Sequence, residues 1–426
     1  MQFRKFVSLA ALGLGLLPSP QAFAETTLHM MWYSDGGEGQ VMQDLLNGFE
    51  KTHPDIKVVL DTVPYKAINE SLPVQLAAGQ GPDMARVTDL GGLARYFLDL
   101  RPLLKDPAYF DTNFGPFLPW MRVNGDTKSI GGVMTQMTVT GPFINKTLFD
   151  QAGVAVPGPK ATWDDWAAAV KQVADKVKAP YPLAIDRSGH RFYGIAISMG
   201  SKVFDDKGEP APIDDGFKEA AKRVVDWHAR GVMSKELWGS VSGATYLGAN
   251  DQFKNGQVVM YLSGSWQIPQ FAKTIGNSFD WQAVPNPCGP AACSGMPGGA
   301  ALVGLKETKH PKEVAEVLEY LASEPVLSQF YARSLFIPGH TGIAAKGLDY
   351  KTDSPLVKAA LNVFVGQVKT TSPLAFKLQG YQYNRAIFNP VISRLGQVIV
   401  GEMSLEDAEK RIASDVAEQL AVARKK

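Results

Sequence analysis

Three adjacent carboxylate pairs, Asp164-Asp165, Asp205-Asp206 and Asp214-Asp215, are the groups in this chain best placed for acid–base work. Pairs of this kind serve mostly as helix caps and solvated turns. A glycosidase brings its two carboxylates together only in space, so the pattern neither excludes an exported carbohydrate-active enzyme nor favours one. The six histidines (29, 53, 190, 228, 310 and 340) have no metal-ligand spacing. There is no G-x-S-x-G elbow, no H-E-x-x-H and no P-loop. The two cysteines, Cys288 and Cys293, lie five residues apart in PNPCGPAACSGMPGG with no histidine beside them. That argues against a zinc site and for one small disulfide loop in an exported protein. Such a short loop removes little chain entropy, so its expected role is local pinning. No catalytic residue, cofactor or metal ligand is expected. The stretch NGQVVMYLSGSWQI at 255–268 poses a different question, because it sets a large aromatic, Trp266, just after a Ser-Gly-Ser turn.

The elements that position these groups follow an export signal. Arg4 and Lys5, an apolar run at 6–17 and Ala22-Phe23-Ala24 have the form of a secretory signal ending at residue 24. The run is shorter than the roughly 20 residues a membrane span needs. No cysteine follows the signal directly, so no lipid anchor is expected. Without those 24 residues, 402 remain, enough for two or three domains. Losing Arg4 and Lys5 leaves 41 basic against 42 acidic residues, which gives no basic footprint for nucleic acid. A strand at 27–33, a helix carrying Val41, Leu45, Leu46 and Phe49, and a strand at 56–63 form a βαβ unit and imply a parallel sheet. The same alternation continues along the chain. Thr162 with Asp165, and Ser404 with Asp407, read as capping boxes, with Lys and Arg placed at the last turn of the C-terminal helix.

Several of these segments resemble a known family. GFEKTHPDIKVVL, LAAGQGPDMARV, FINKTLFDQAGV, TWDDWAAAV, FKNGQVVMYLSGSWQI, GGAALVGLKETKHPKEVAEVLEYLA and GEMSLEDAEKRIASDV stand in the order seen in extracellular solute-binding proteins of ABC importers. The resemblance is nearest to the carbohydrate-binding group that includes maltodextrin- and glycerol-3-phosphate-binding proteins, and it covers nearly the whole chain after the signal. It implies an α/β type II periplasmic-binding fold, two lobes joined by a two- or three-segment hinge with the ligand cleft between them. On this sequence the crossings would fall near 138–141, 298–300 and 337–339. The first lobe would comprise 25–138 and 301–337, and the second 139–300 and 338–426. The resemblance further implies a periplasmic monomer that works with the permease subunits of an inner-membrane transporter.

A sugar offers a face of C–H bonds to an aromatic ring and a rim of hydroxyls to polar groups. Ligands of open α/β sheets collect at the carboxyl ends of strands. Trp266, with Ser265 beside it, is therefore the first candidate for stacking on a sugar, the alternative being a tryptophan packed under its own lobe. Trp32, Tyr33, Ser34 and Asp35 follow the first strand, with Trp32 equally suited to the core. Tyr65 follows the second strand, and Thr88 and Asp89 the next. Gln136 precedes the first crossing. Arg191 and Tyr193 lie where the family places a second-lobe contact, and Trp238 is a further aromatic candidate. Gly298 and Gly299 would let backbone approach a ligand. Arg333, Tyr381 and Arg385 are candidates from the late loops, with Tyr383 near them. The expected cargo is a sugar, oligosaccharide or polyol. Glycerol phosphate or another small anion is the alternative if the arginines converge on it.

Overall fold

The computed structural model describes residues 25–425; the expected signal segment, 1–24, lies outside them. Eight strands are present among the described residues: β1 (Thr26–Trp32), β2 (Ile56–Thr62), β3 (Met84–Val87), β4 (Gly132–Asn145), β5 (Tyr181–Ile185), β6 (Val258–Gly264), β7 (Trp281–Ala283) and β8 (Pro297–Gly304). They join in the order β2-β1-β3-β8-β4-β6-β5, with β7 paired to β4. β1 and β2 are parallel, as a βαβ unit requires. β1 alternates, burying Leu28, Met30 and Trp32. The helix between them, Glu38–Glu50, buries Val41, Met42, Leu45, Leu46 and Phe49 on one face.

The long strand β4 organises the molecule. Its first part, through Val139, pairs antiparallel with β8. From Thr140 onward it pairs with β6, and at its end also with β7. The buried side chains fall into two cores. One is built from β1–β3, β8 and the helices Pro311–Ala322 and Glu324–Ser334. The other is built from β5–β7, the second part of β4, the helices between Lys146 and Ala229 and those from Pro355 onward. Both β4 and β8 run from one core towards the other, near 138–141 and 298–300. Ile337 packs in the second core, Ile343 in the first and Val357 in the second again. Since Phe336 packs in the first core, the chain changes core beside Ile337 and again between Ile343 and Val357.

Local signals in the sequence account for several boundaries. Thr162 and Asp165 form a complete capping box on the helix Trp163–Val177. Gly153 takes the left-handed conformation that ends the helix Lys146–Ala152. At the C-terminal helix, Leu405–Ala423, only half of the expected box forms. The Ser404 hydroxyl accepts from the Asp407 N–H, but the Asp407 carboxylate turns to that hydroxyl instead of the capping backbone. Arg424 sits at its C-cap, beyond the last turn where basic residues were expected. Cys288 and Cys293 are disulfide-bonded. Their loop is pinned to the start of the helix Trp163–Val177, since Cys288 N–H donates to Ala161 and Trp163 N–H to Cys288. Among the described residues no helix is long and apolar enough to cross a membrane. No cluster of three or more His, Cys, Asp or Glu among them could hold a metal ion.

Candidate functional site

A cavity of about 310 Å³ lies between the two cores. The first lobe contributes Tyr33, Ser34, Asp35, Tyr65, Asn69, Thr88 and Gln136. The second contributes Ser188, His190, Arg191, Tyr246, Asn250, Trp266, Gln267, Gln270, Gln379, Asn384, Arg385 and Phe388. Thr138 of β4 and Gly298 and Gly299 of β8 form the floor where the strands cross.

The first wall rests on Arg86, a fully buried residue of β3. Its guanidinium donates to the Tyr33 carbonyl (2.7 Å), Glu38 (2.8 Å), Asp35 (3.0 Å) and the Gln136 Oε1 (2.7 Å). It also lies 4.1 Å from the centre of the Tyr33 ring. The Asp35 N–H donates in turn to Glu38. Gln136 reaches this cluster because the β4–β8 register shifts between Met134 and Gln136, which re-aims the side chain. Burial raises the Asp35 carboxyl to about 6, partly offset by Arg86 and reinforced by Glu38. Tyr65 packs on Tyr33 with ring centres 4.9 Å apart, and its hydroxyl pairs with Thr88 at 2.9 Å.

The second wall rests on Asp186, a fully buried carboxylate just past β5. It accepts from the Tyr261 hydroxyl, from Ser263 (2.8 Å) and from Arg191 (3.0 and 3.3 Å). Arg191 also donates to His190 Nδ1 at 3.0 Å, which leaves His190 Nε2 to donate to the Pro297 carbonyl of β8 at 2.9 Å. Burial, then the neighbouring Arg191 charge, lowers the imidazole to about 3, so His190 is neutral in this role. The Arg191 guanidinium lies 4.3 Å from the centre of the Trp266 ring. The indole folds back over Gly264, occupying the space any Cβ there would need. Glycine in the turn thus seats Trp266, half-buried, on the cavity wall.

The lobes meet around the cavity. Gly36 lies against Pro269, so that a Cβ on it would come 3.1 Å from the proline Cβ. Tyr65 and Tyr246 approach edge-on at 6.3 Å. Asn124 N–H donates to Gln382 Oε1 at 2.7 Å.

Of the residues singled out in the sequence, Tyr33, Ser34, Asp35, Tyr65, Thr88, Gln136, Arg191, Trp266, Gly298, Gly299 and Arg385 line this cavity. The others do not. Trp32 is core, on the inward face of β1 against Phe330. Tyr193 is buried among Phe192, Phe217 and Phe388. Trp238 is buried with its indole N–H directed to the Ile185 carbonyl at 3.4 Å. Ser265 is buried and accepts from the Val139 N–H of β4. Asp89 caps the short helix Leu90–Leu93 through Gly92, standing 3.9 Å from Arg385. Arg333 pairs with Asp44 on the outside of the first lobe. Tyr381 packs on Phe204 and accepts from Arg424. Gly298 and Gly299 have a structural reason as well, since a Cβ on either would strike β4 at Thr138 or Gln136. Asn69, Ser188, His190, Tyr246, Asn250, Gln267, Gln270, Gln379, Asn384 and Phe388 join the cavity without a strand-end signal, most of them from helices. Arg86, the organiser of the first wall, reads in the sequence as part of a plain short strand.

The two-lobed α/β architecture and its central cavity are those of a solute-binding protein, and the chain belongs to the bacterial extracellular solute-binding protein family, whose model matches residues 33–326. It is 24% identical to the multiple sugar-binding protein of Streptococcus mutans over 74% of each chain. It is 26% identical to the arabinooligosaccharide-binding protein of Bacillus subtilis, over 74% of this chain and 73% of that one. Its fold matches the GacH receptor of Streptomyces glaucescens, whose structures are unliganded and in complex with acarbose and an acarbose homolog. That match has a TM-score of 0.76 at 21% identity, covering 93% of this chain and 99% of the receptor.

Proposed function

We propose that the protein is the substrate-binding component of an ABC importer, that it captures a neutral sugar, oligosaccharide or polyol between its lobes, and that it hands this cargo to the membrane permease. The observation that carries this reading is a single cavity whose two walls come from different lobes and present opposite polarity. Asp35 offers an acceptor from the first, and Arg191 offers donors from the second. Sugar hydroxyls satisfy both at once, and Tyr33, Tyr65, Tyr246 and Trp266 supply aromatic surface for the C–H faces. The multiple sugar-binding and arabinooligosaccharide-binding relatives point to the same cargo class.

The charge count favours a neutral ligand over glycerol phosphate. Arg86, Arg191 and Arg385 are set against Asp35, Glu38, Asp186 and Asp89, one carboxylate more than the guanidiniums. An anion-binding site would leave arginines uncommitted. The volume sits at the low end of the roughly 300–1,000 Å³ usual for small-molecule pockets, which suits one or two sugar rings. Closure follows population-shift logic: a ligand touching both walls stabilises the arrangement in which both are within reach. The core packing supports a hinge at the crossings of β4 and β8, with further passages beside Ile337 and between Ile343 and Val357. In this reading the protein is a periplasmic monomer with no chemistry of its own.

The test is a thermal-shift screen of residues 25–426 against mono- to tetrasaccharides, polyols and glycerol phosphates, followed by calorimetry on the hits. A ligand specific for the folded state at a hundredfold excess over Kd adds about 2.7 kcal/mol of stability. A neutral sugar that shifts the transition and is recovered unchanged supports the reading. Stabilisation by phosphorylated compounds alone, or consumption of the sugar, would overturn it.

A further inference from the structure

A second, larger concavity of about 1220 Å³ adjoins the cavity. Two elements border both. Arg385 lines each of them, and the segment 240–246 lines the groove with Ser240, Ser242 and Gly243 and the cavity with Tyr246. Arg187, next to Asp186 in the chain, holds that segment in place. Its guanidinium donates to the carbonyls of Trp238 (3.1 Å), Gly243 (2.8 Å) and Thr245 (2.6 Å). Neighbouring residues thus organise the two spaces, Asp186 the cavity wall and Arg187 the groove wall.

The groove is walled by both lobes, with Arg95 and Asn124 from the first and the helix Asn384–Val400 from the second. It runs along that helix as far as Val400, a rise of about 24 Å at 1.5 Å per residue. Its lining includes the amides and hydroxyls of Asn124, Ser242, Gln382, Asn389 and Ser393 and the ring of Tyr383, alongside the Arg394–Asp415 ion pair and the carboxylates of Glu402 and Glu418. This is the chemistry that takes sugar hydroxyls and a C–H face. Arg385 itself is a loose partition. Its side chain is 43% exposed and its ion pair with Asp89, across the lobes, is 3.9 Å long.

We propose that the cargo is an oligosaccharide: its terminal one or two rings fill the cavity, and the rest of the chain passes Arg385 and lies in the groove. This rests on the sugar-binding reading above and narrows it from any sugar or polyol to a chain recognised from one end. Arg385 swings from Asp89 towards the hydroxyls of the ring that crosses between the two spaces. Closure of the lobes then grips the groove segment as well as the terminal rings.

The experiment is calorimetry of the intact protein with the mono- to tetrasaccharide members of α-glucan, β-glucan, xylan and arabinan series. Within the series that binds, affinity should rise by about tenfold or more between the shortest binder and the tetrasaccharide, an increment of about 1.4 kcal/mol. Ser242→Trp, on the exposed loop of the second lobe, and Asn124→Trp, from the facing lobe, should each abolish that gain while leaving the shortest binder within about twofold of the wild type. Affinity independent of chain length would overturn the extension, as would a groove substitution that weakens short and long chains alike, and the sugar-binding reading would stand. Failure of every sugar to bind would instead remove that reading itself.

Discussion

The two walls of the cavity use the same pair of residue types in opposite order. In the first lobe the guanidinium of Arg86 is wholly buried and the Asp35 carboxylate keeps 20% of its side-chain surface. In the second, the Asp186 carboxylate is wholly buried and Arg191 keeps 10%. A buried ion needs its counter-ion and further hydrogen bonds around it. Each wall meets that need, and the outer partner sets the polarity a ligand meets. One lobe therefore presents an acceptor and the other a donor, from clusters that are each nearly neutral. An arrangement with the same sign on both walls would select a charged ligand. The inverted one suits a molecule whose groups both donate and accept, as hydroxyls do.

The largest expected effect comes from breaking the first cluster. Arg86→Met leaves Asp35 and Glu38 without their buried counter-charge, and should lower the unfolding free energy by about 3–5 kcal/mol in denaturant titrations at neutral pH. A loss well under 1 kcal/mol would show that the wall does not depend on this ion pair. Trp266→Ala acts on the second wall and should cost about 1–3 kcal/mol of sugar affinity with the fold intact. Unchanged affinity in calorimetry would make Trp266 a structural residue only.

The third effect separates the walls by pH. Asp35 titrates near 6, above the ordinary carboxylate range because it is buried. A hydroxyl donating to the carboxylate needs it ionised, so affinity should be full above that point and fall as pH drops through 6, by at most tenfold per pH unit. The contribution of Asp35 to apo stability has the opposite sign. A carboxyl raised on folding binds its proton more tightly in the folded state, so stability is gained on the acid side and lost as pH rises from about 4 to 6. Asp35→Asn should flatten the affinity profile, and a slope that persists would assign the titration elsewhere. The smallest effect is a control: Thr162→Ala removes a helix cap of the second lobe and should cost about 1 kcal/mol of stability with no change in affinity.

What could be read from the sequence follows from how local each signal is. The βαβ start, the Thr162 cap and the Gly153 stop depend on neighbours in the chain, and all three form. The strand-end rule located Tyr33–Asp35, Tyr65 and Thr88 on the cavity. It also drew in Trp32, although the alternation Leu28, Met30, Trp32 already puts that side chain on the inward face of β1. Tyr193 was drawn in with Arg191 by the family's second-lobe position, and Trp238 by its aromatic type, a property that core and binding surface share. Asn69, Asn250, Gln270 and Gln379 each contribute one side chain from a helix, and no spacing rule joins residues so far apart. Arg86 stayed hidden for a different reason. Its burial depends on Asp35, Glu38 and Gln136, which only the tertiary fold gathers.

The placement of β8 between β3 and β4 bears on how the chain is made. Met84 pairs with Gly304 and Val87 with Ala301, so the strands of the first lobe are synthesised long before the strand that completes their sheet. All of β5–β7 and much of the second core are encoded in between. Pairings this distant in sequence fold slowly. Until β8 arrives, β3 offers an open edge rich in apolar side chains, the kind of surface that templates aggregation. The sheet of the first lobe, begun first, is thus closed only after the strands of the second have been made. Substitutions that weaken β8 should surface as losses during synthesis, in yield and solubility, before they register as weakness of the completed molecule.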